Sequence, residues 1–190
     1  MDRAKELSIL KTLLQYDEAG TTALADAPWE NEVTAYTCPE RHRREEELLI
    51  RGRPVVMGLS CDWPANGAYR TDDFAGVPIL IVRGRDGQLR AFLNVCRHRG
   101  AKVVDGCGEA RSFRCPYHAW VYGDDGALRA VPDADSFPGV MDQRPGLTPL
   151  PLAEKHGMVW VLPTPAADGS ALRAFPFSMQ FLKVPRFLKV

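Results

Sequence analysis

Two short stretches decide how this chain folds and what it holds: Cys96-Arg97-His98-Arg99-Gly100 and Cys115-Pro116-Tyr117-His118-Ala119-Trp120. Each joins one cysteine to one histidine, as C-x-H and then, after sixteen intervening residues, C-x-x-H. Two of the chain's four histidines and two of its five cysteines are spent there. Four soft or borderline ligands in two matched pairs make a metal site the leading reading. A structural zinc would accept two cysteines and two histidines, but its usual pattern groups like with like. One cysteine and one histidine from each loop suit a pair of metal ions better, with both thiolates on one ion and both imidazoles on the other. On the residues alone, a two-iron cluster and a zinc-stabilised, redox-silent binding module both stay open.

Outward from these loops the chain reads as β-rich between about residues 51 and 165. Strand-like runs recur at 78–82, 90–95, 120–122, 128–131 and 158–162. Asp86-Gly87 and Asp125-Gly126 sit between such runs and supply the positive φ angles of tight hairpins. Short strands at this spacing predict a mostly β, α+β chain built on an antiparallel sandwich or barrel. No internal repeat is evident. Residues 1–50 read as a helical lead-in. Leu7, Leu10 and Leu14 recur at helical spacing, and Thr37-Cys38-Pro39-Glu40 has the form of a capping box with proline in the first turn. The mixed charges of residues 40–53 predict a solvated helix with one buried edge. Residues 166–190 form an apolar, basic tail, with Phe175, Phe177, Phe181 and Phe187 and no acid after Asp168.

Composition closes off other classes. The 190 residues carry 24 basic and 24 acidic side chains, and this balance speaks against a nucleic-acid binder. The longest apolar run, 77–82, is far short of the roughly 20 residues of a membrane helix. The N-terminus lacks the apolar stretch of a secretory signal, so the cytoplasm is the expected location. Five cysteines, an odd number, argue against a full disulfide framework. Cys107 reads as a free thiol or core residue, Trp120 and Trp160 as core, His156 as structural and His42 as solvated.

The ligand division described above is that of a Rieske [2Fe–2S] centre. Cys96–Ala101 and Cys115–Trp120 resemble the two cluster loops of Rieske proteins, in particular the α subunits of Rieske non-haem iron oxygenases, the aromatic-ring-hydroxylating enzymes. The resemblance extends to Gly67-Ala68-Tyr69-Arg70-Thr71, Ala91-Phe92-Leu93-Asn94-Val95 and His156-Gly157-Met158-Val159-Trp160-Val161, and covers roughly residues 35 to 165. It implies a Rieske-type sandwich with one [2Fe–2S] cluster on Cys96, His98, Cys115 and His118. Arg99, Gly100, Tyr117 and Trp120 would surround it, with backbone N–H groups and the Tyr117 hydroxyl as donors and Gly100 giving the backbone close access to the sulfides. Rieske proteins of respiratory chains carry an extra cysteine in each loop. Ala101 and Tyr117 stand at those places here, which favours the oxygenase or ferredoxin type. Neutral histidine ligands raise the potential into the range of about −150 to +300 mV, and the resemblance implies the low end.

Such oxygenases also have a catalytic domain in which two histidines and a carboxylate hold a mononuclear iron. The family pattern for it, D-x-x-H-x₄-H, is not found, and His42 and His156 are too scattered to replace it. The chain is therefore expected not to oxygenate a substrate by itself. It reads as the electron-transfer part of a truncated or split α subunit. Its electrons would come from a ferredoxin or reductase and pass through His98 or His118 to a catalytic domain or subunit, with homo-trimer assembly as in the family. A self-standing Rieske ferredoxin is the alternative.

Overall fold

The computed structural model describes residues 2–25 and 27–166, so nearly all of the 166–190 tail lies outside the described residues. The chain divides into two units, one built on residues up to Thr37 and one beginning at Cys38. The first contains α1 (Arg3–Glu18), N-capped by Asp2, and the short α2 (Thr34–Thr37). No residue of α1 is buried, and Leu7, Leu10 and Leu14 are exposed.

The second unit opens with α3 (Pro39–Glu45), continued by a wider turn over Glu46–Ile50. The expected capping box does not form. Cys38 is the N-cap, and the Thr37 hydroxyl instead donates to the Val33 carbonyl at 3.3 Å. Pro39 does occupy the first helical position, where its missing N–H costs nothing. The helix is solvated, as its charges require, with Arg43 paired to both Glu40 and Glu47. The expected buried edge is absent: none of these residues is buried.

Among the described residues eleven strands follow, β1 (Val55–Leu59), β2 (Ala68–Phe74), β3 (Val77–Arg83), β4 (Leu89–Leu93), β5 (Cys107–Glu109), β6 (Ser112–Arg114), β7 (Val121–Gly123), β8 (Leu128–Ala130), β9 (Pro149–Leu150), β10 (Leu152–Lys155) and β11 (Met158–Val161), with a short α4 (Val140–Gln143) after β8. All pairings are antiparallel, in sheets ordered β1-β11-β10, β5-β2-β3-β4-β9 and β6-β7-β8. The mostly β architecture is thus the one expected. Among the described residues no helix is long and apolar enough to cross a membrane.

Strand β3 organises the interior. Its side chains alternate between faces: Leu80 and Val82 enter one core with Phe92, Phe113, Tyr122 and both loop cysteines, while Ile79 and Ile81 enter a second with Met57, Trp63 and Val161. A strand buried on both faces must be apolar throughout, which is why 77–82 is the longest apolar run in the chain. Arg83 ends it as a clasp. Its guanidinium donates to the Trp63 carbonyl at 2.6 Å and forms two hydrogen bonds with the Glu154 carboxylate on β10.

The two Asp-Gly hairpins correct the reading that the chain has no internal repeat. Residues 84–91 and 123–130 share the form G-x-D-G-x-L-R-A. Each closes with the same pair of backbone bonds, Gly84 N to Gln88 O and Gly87 N to Gly84 O, matched by Gly123 N to Ala127 O and Gly126 N to Gly123 O. In each, the aspartate accepts from the backbone two residues on and pairs with the arginine four residues on. The copies meet where the buried Asp124 carboxylate accepts the Arg85 N–H at 3.0 Å. Gly126 is needed twice over: its φ is +79°, and a Cβ there would stand 2.3 Å from the Phe92 ring. This second hairpin seats the β6-β7-β8 sheet, and with it the second loop, against β4.

Candidate metal centre

The two loops are built alike. The Cys96 N–H donates to Ala101 O at 2.8 Å and Gly100 N–H returns to Cys96 O at 3.0 Å; Cys115 N–H donates to Trp120 O at 2.8 Å and Ala119 N–H returns to Cys115 O at 3.0 Å. In both, the fourth residue after the cysteine has positive φ, +74° at Gly100 and +56° at Ala119. No protein atom among the described residues lies within 4 Å of where a Gly100 Cβ would stand, and its positive φ is the demand for glycine that the backbone shows.

This shared turn sorts the donors by depth. Both thiols point inward, Cys96 at 3% and Cys115 at 2% exposure, whereas His98 and His118 are half-buried at the rim. The imidazole rings are 4.6 Å apart, edge to face. All five cysteines are free, and Cys107 lies exposed on β5, away from the loops' interior. His42 is exposed on α3, and His156 is exposed in the β10–β11 turn with φ +55°, so neither joins the site. Among the described residues no three His, Cys, Asp or Glu side chains form a group able to hold a metal ion. The loops supply two pairs instead, thiols within and imidazoles at the edge.

The surroundings fit a group that bonds to both pairs. His98 Nδ1 is buried and has no hydrogen-bond partner among the described residues. Leaving such an atom unpaired is costly unless something else binds it. Burial, then the nearby His118 and Arg99, hold the His98 pKa below its usual value, which favours the neutral form whose lone pair can bind a metal. On the thiol side the hydroxyl of Tyr122, a fully buried residue, lies 3.3 Å from Cys96 Sγ and accepts the Arg97 N–H at 3.0 Å. That N–H leaves the hydroxyl proton free to point at the sulfur, as it must when Cys96 is a deprotonated metal ligand. Burial, and then the Cys96 contact, keep it protonated far above the ordinary tyrosine range.

Other expected neighbours are placed differently. Tyr117, expected as hydroxyl donor, is 61% exposed and lies over His118 with centroids 3.7 Å apart. Tyr122 supplies the hydroxyl near a sulfur. Trp120 is buried and stacks on His98, while Trp160 is half-buried on β11. Arg99 is exposed; Arg97 reaches Thr148 Oγ1 at 3.1 Å. Asn94 was given no role from sequence, yet its buried amide donates to Val104 O and accepts from Val103 N and Val104 N, fixing the far side of the first loop. The signal was a polar residue inside the apolar run Ala91-Phe92-Leu93-Asn94-Val95.

Two loops with the same internal hydrogen bonds, offering two buried thiols and two half-buried imidazoles on an antiparallel β fold, define an iron–sulfur domain of Rieske type. The model of the Rieske [2Fe-2S] domain matches residues 53–151, just over half of the chain, and the chain belongs to that family. It is 31% identical over 137 residues to the carnitine monooxygenase oxygenase subunit of Acinetobacter baumannii, covering 72% of this chain and 37% of that one. It is 37% identical over 108 residues to the biphenyl 2,3-dioxygenase subunit alpha of Rhodococcus jostii, covering 55% and 23%. Among solved structures, the quaternary ammonium Rieske monooxygenase CntA with L-carnitine superposes with TM-score 0.68 at 30% identity, over 73% of this chain and 40% of that one. The chain thus spans about two fifths or less of the length of these relatives. The Rieske fold and the [2Fe–2S] domain expected from sequence are therefore present, in a relative of oxygenase α subunits.

Proposed function

We propose that Cys96 and Cys115 hold one iron of a [2Fe–2S] cluster and His98 and His118 the other, and that the chain is the electron-transfer part of a Rieske oxygenase. When bound, the cluster accepts and passes on single electrons. The observation that carries the reading is the sorting of donors: buried thiols as one pair, half-buried imidazoles as the other, and the buried His98 Nδ1 without a partner among the described residues. A single zinc would need all four to converge on one point, and the arrangement in two pairs favours the two-iron site.

In this reading residues 51–165 are the cluster domain, residues 1–50 a lead-in and 166–190 a tail. Thiolates inside a core and a hydroxyl aimed at Cys96 keep water from the sulfur side. The half-exposed imidazoles form the edge through which electrons cross, from a ferredoxin or reductase toward a mononuclear iron on an oxygenase catalytic domain or subunit. Trimer assembly and a cytoplasmic location complete the proposal. The relatives named above act on carnitine or biphenyl, and the electron-transfer part is common to both, so the proposal is an oxygenase component without restriction to aromatic rings.

The test is the purified chain assembled with iron and sulfide. Two irons and two sulfides per chain, a visible spectrum that bleaches on reduction and a Rieske EPR signal are expected. A colourless protein with one tightly held zinc would overturn the assignment.

A further inference from the structure

A metal-bound histidine is usually aimed by a hydrogen bond on its second ring nitrogen. Among the described residues His98 has no such bond on either nitrogen, and Nδ1 is buried. Its ring is held by aromatic contacts. Trp120 stacks on it with planes 4° apart and centroids at 5.0 Å. Phe137 meets it edge-on at 5.3 Å and meets Trp120 edge-on at 5.9 Å. The two rings come from different places. Trp120 ends the second loop and is locked there by its carbonyl's bond to Cys115 N–H. Phe137 closes a short turn over Ala134–Ser136 in the segment after β8, and Ala134, Val140 and Met141 of that segment pack on the same core.

We infer that Trp120 and Phe137 are positioning residues: together they form a bracket that fixes the plane of the His98 imidazole and so aims Nδ1 at the cluster. The segment 132–146 thereby becomes part of the metal centre. His118 lacks an equivalent bracket, its described ring contacts being His98 and the exposed Tyr117. The two imidazoles are therefore held unequally.

This inference rests on the cluster assignment, and the experiment separates the two. The full chain and its variants are assembled with iron and sulfide, then followed by EPR of the reduced state and by the rate of iron loss to a chelator. Phe137→Leu and Trp120→Phe should shift the g-values and speed iron loss about tenfold, in the range of lost outer-shell support. Phe137→Tyr, which keeps the ring, should behave as the parent. Phe113→Leu removes a buried ring of the same core that meets Tyr69 and not His98. It should lower thermal stability without either change. Parent-like g-values and rates in Phe137→Leu and Trp120→Phe, or equal changes in Phe113→Leu, overturn the bracket. If the parent itself shows no Rieske signal, the ligand assignment fails, and the bracket with it.

Discussion

At Tyr122 a buried hydroxyl stands 3.3 Å from Cys96 Sγ with the Arg97 N–H on its far side. A donor to a cluster sulfur stabilises the reduced state, which carries more negative charge, so Tyr122→Phe is expected to lower the midpoint potential. One net hydrogen bond is worth on the order of 1 kcal/mol, or on the order of 40 mV for one electron. Protein-film voltammetry of the two proteins measures it, and an unchanged potential would show that the hydroxyl does not serve the cluster. The same change strands the Arg97 N–H, so a small loss of stability should accompany the shift. Replacing a ligand acts differently: Cys96→Ser and His118→Ala should each abolish the Rieske EPR signal. The four candidate ligands could be named from sequence because a ligand must be a particular residue type at a particular spacing. Tyr122 was not, because a hydroxyl seven residues beyond Cys115 reaches Cys96 only through the pairing of strands.

The loops show what an element demands of its residues. Gly100 and Ala119 hold the same place in the same turn, both with positive φ. A Cβ in that region costs about 1–2 kcal/mol. Gly100→Ala should therefore destabilise and Ala119→Gly should stabilise, each by about 1 kcal/mol after the entropy of glycine is counted. Chemical denaturation of the pair decides it, and equal signs would show that the loops are not equivalent. Another element-scale test concerns the Arg83 clasp. Hydrogen bonding to Arg83 holds the Glu154 carboxyl below its ordinary value of 4.5. A depressed carboxyl adds stability that is present above pH 4.5 and lost as pH falls through the lowered value. Glu154→Gln should flatten the acid limb of the stability curve below pH 4.5. The change should be within about 1 kcal/mol, because the carboxylate is a third exposed. Strands β3, β4 and β11 were readable because burial requires apolar runs, and β7 and β8 because Asp125-Gly126 marks the hairpin between them. β2 is polar throughout Arg70–Asp73, and β5, β6 and β9 have three residues or fewer, held by their neighbours' hydrogen bonds.

For the whole molecule, the cluster would join two loops that are separated by 13 residues in sequence, 102–114, and belong to different parts of the sandwich. Iron removal should therefore loosen residues 96–101 and 115–120 while β3 stays protected, since β3 is held by two cores and the loops by the metal. Hydrogen exchange of the iron-loaded and iron-free chain tests this; uniform protection in both would mean the loops are set by packing alone. The sequence by itself determined the candidate ligand types and their spacing, the hairpin turns and the doubly buried strand, because each is dictated by local valence, backbone angle or burial. Only the tertiary structure decided that the thiols lie inside and the imidazoles at the rim, that Tyr122 rather than Tyr117 reaches a sulfur, and that Phe137 closes on His98. Those relations join residues that are distant in sequence, and chain folding alone brings them within van der Waals or hydrogen-bond range.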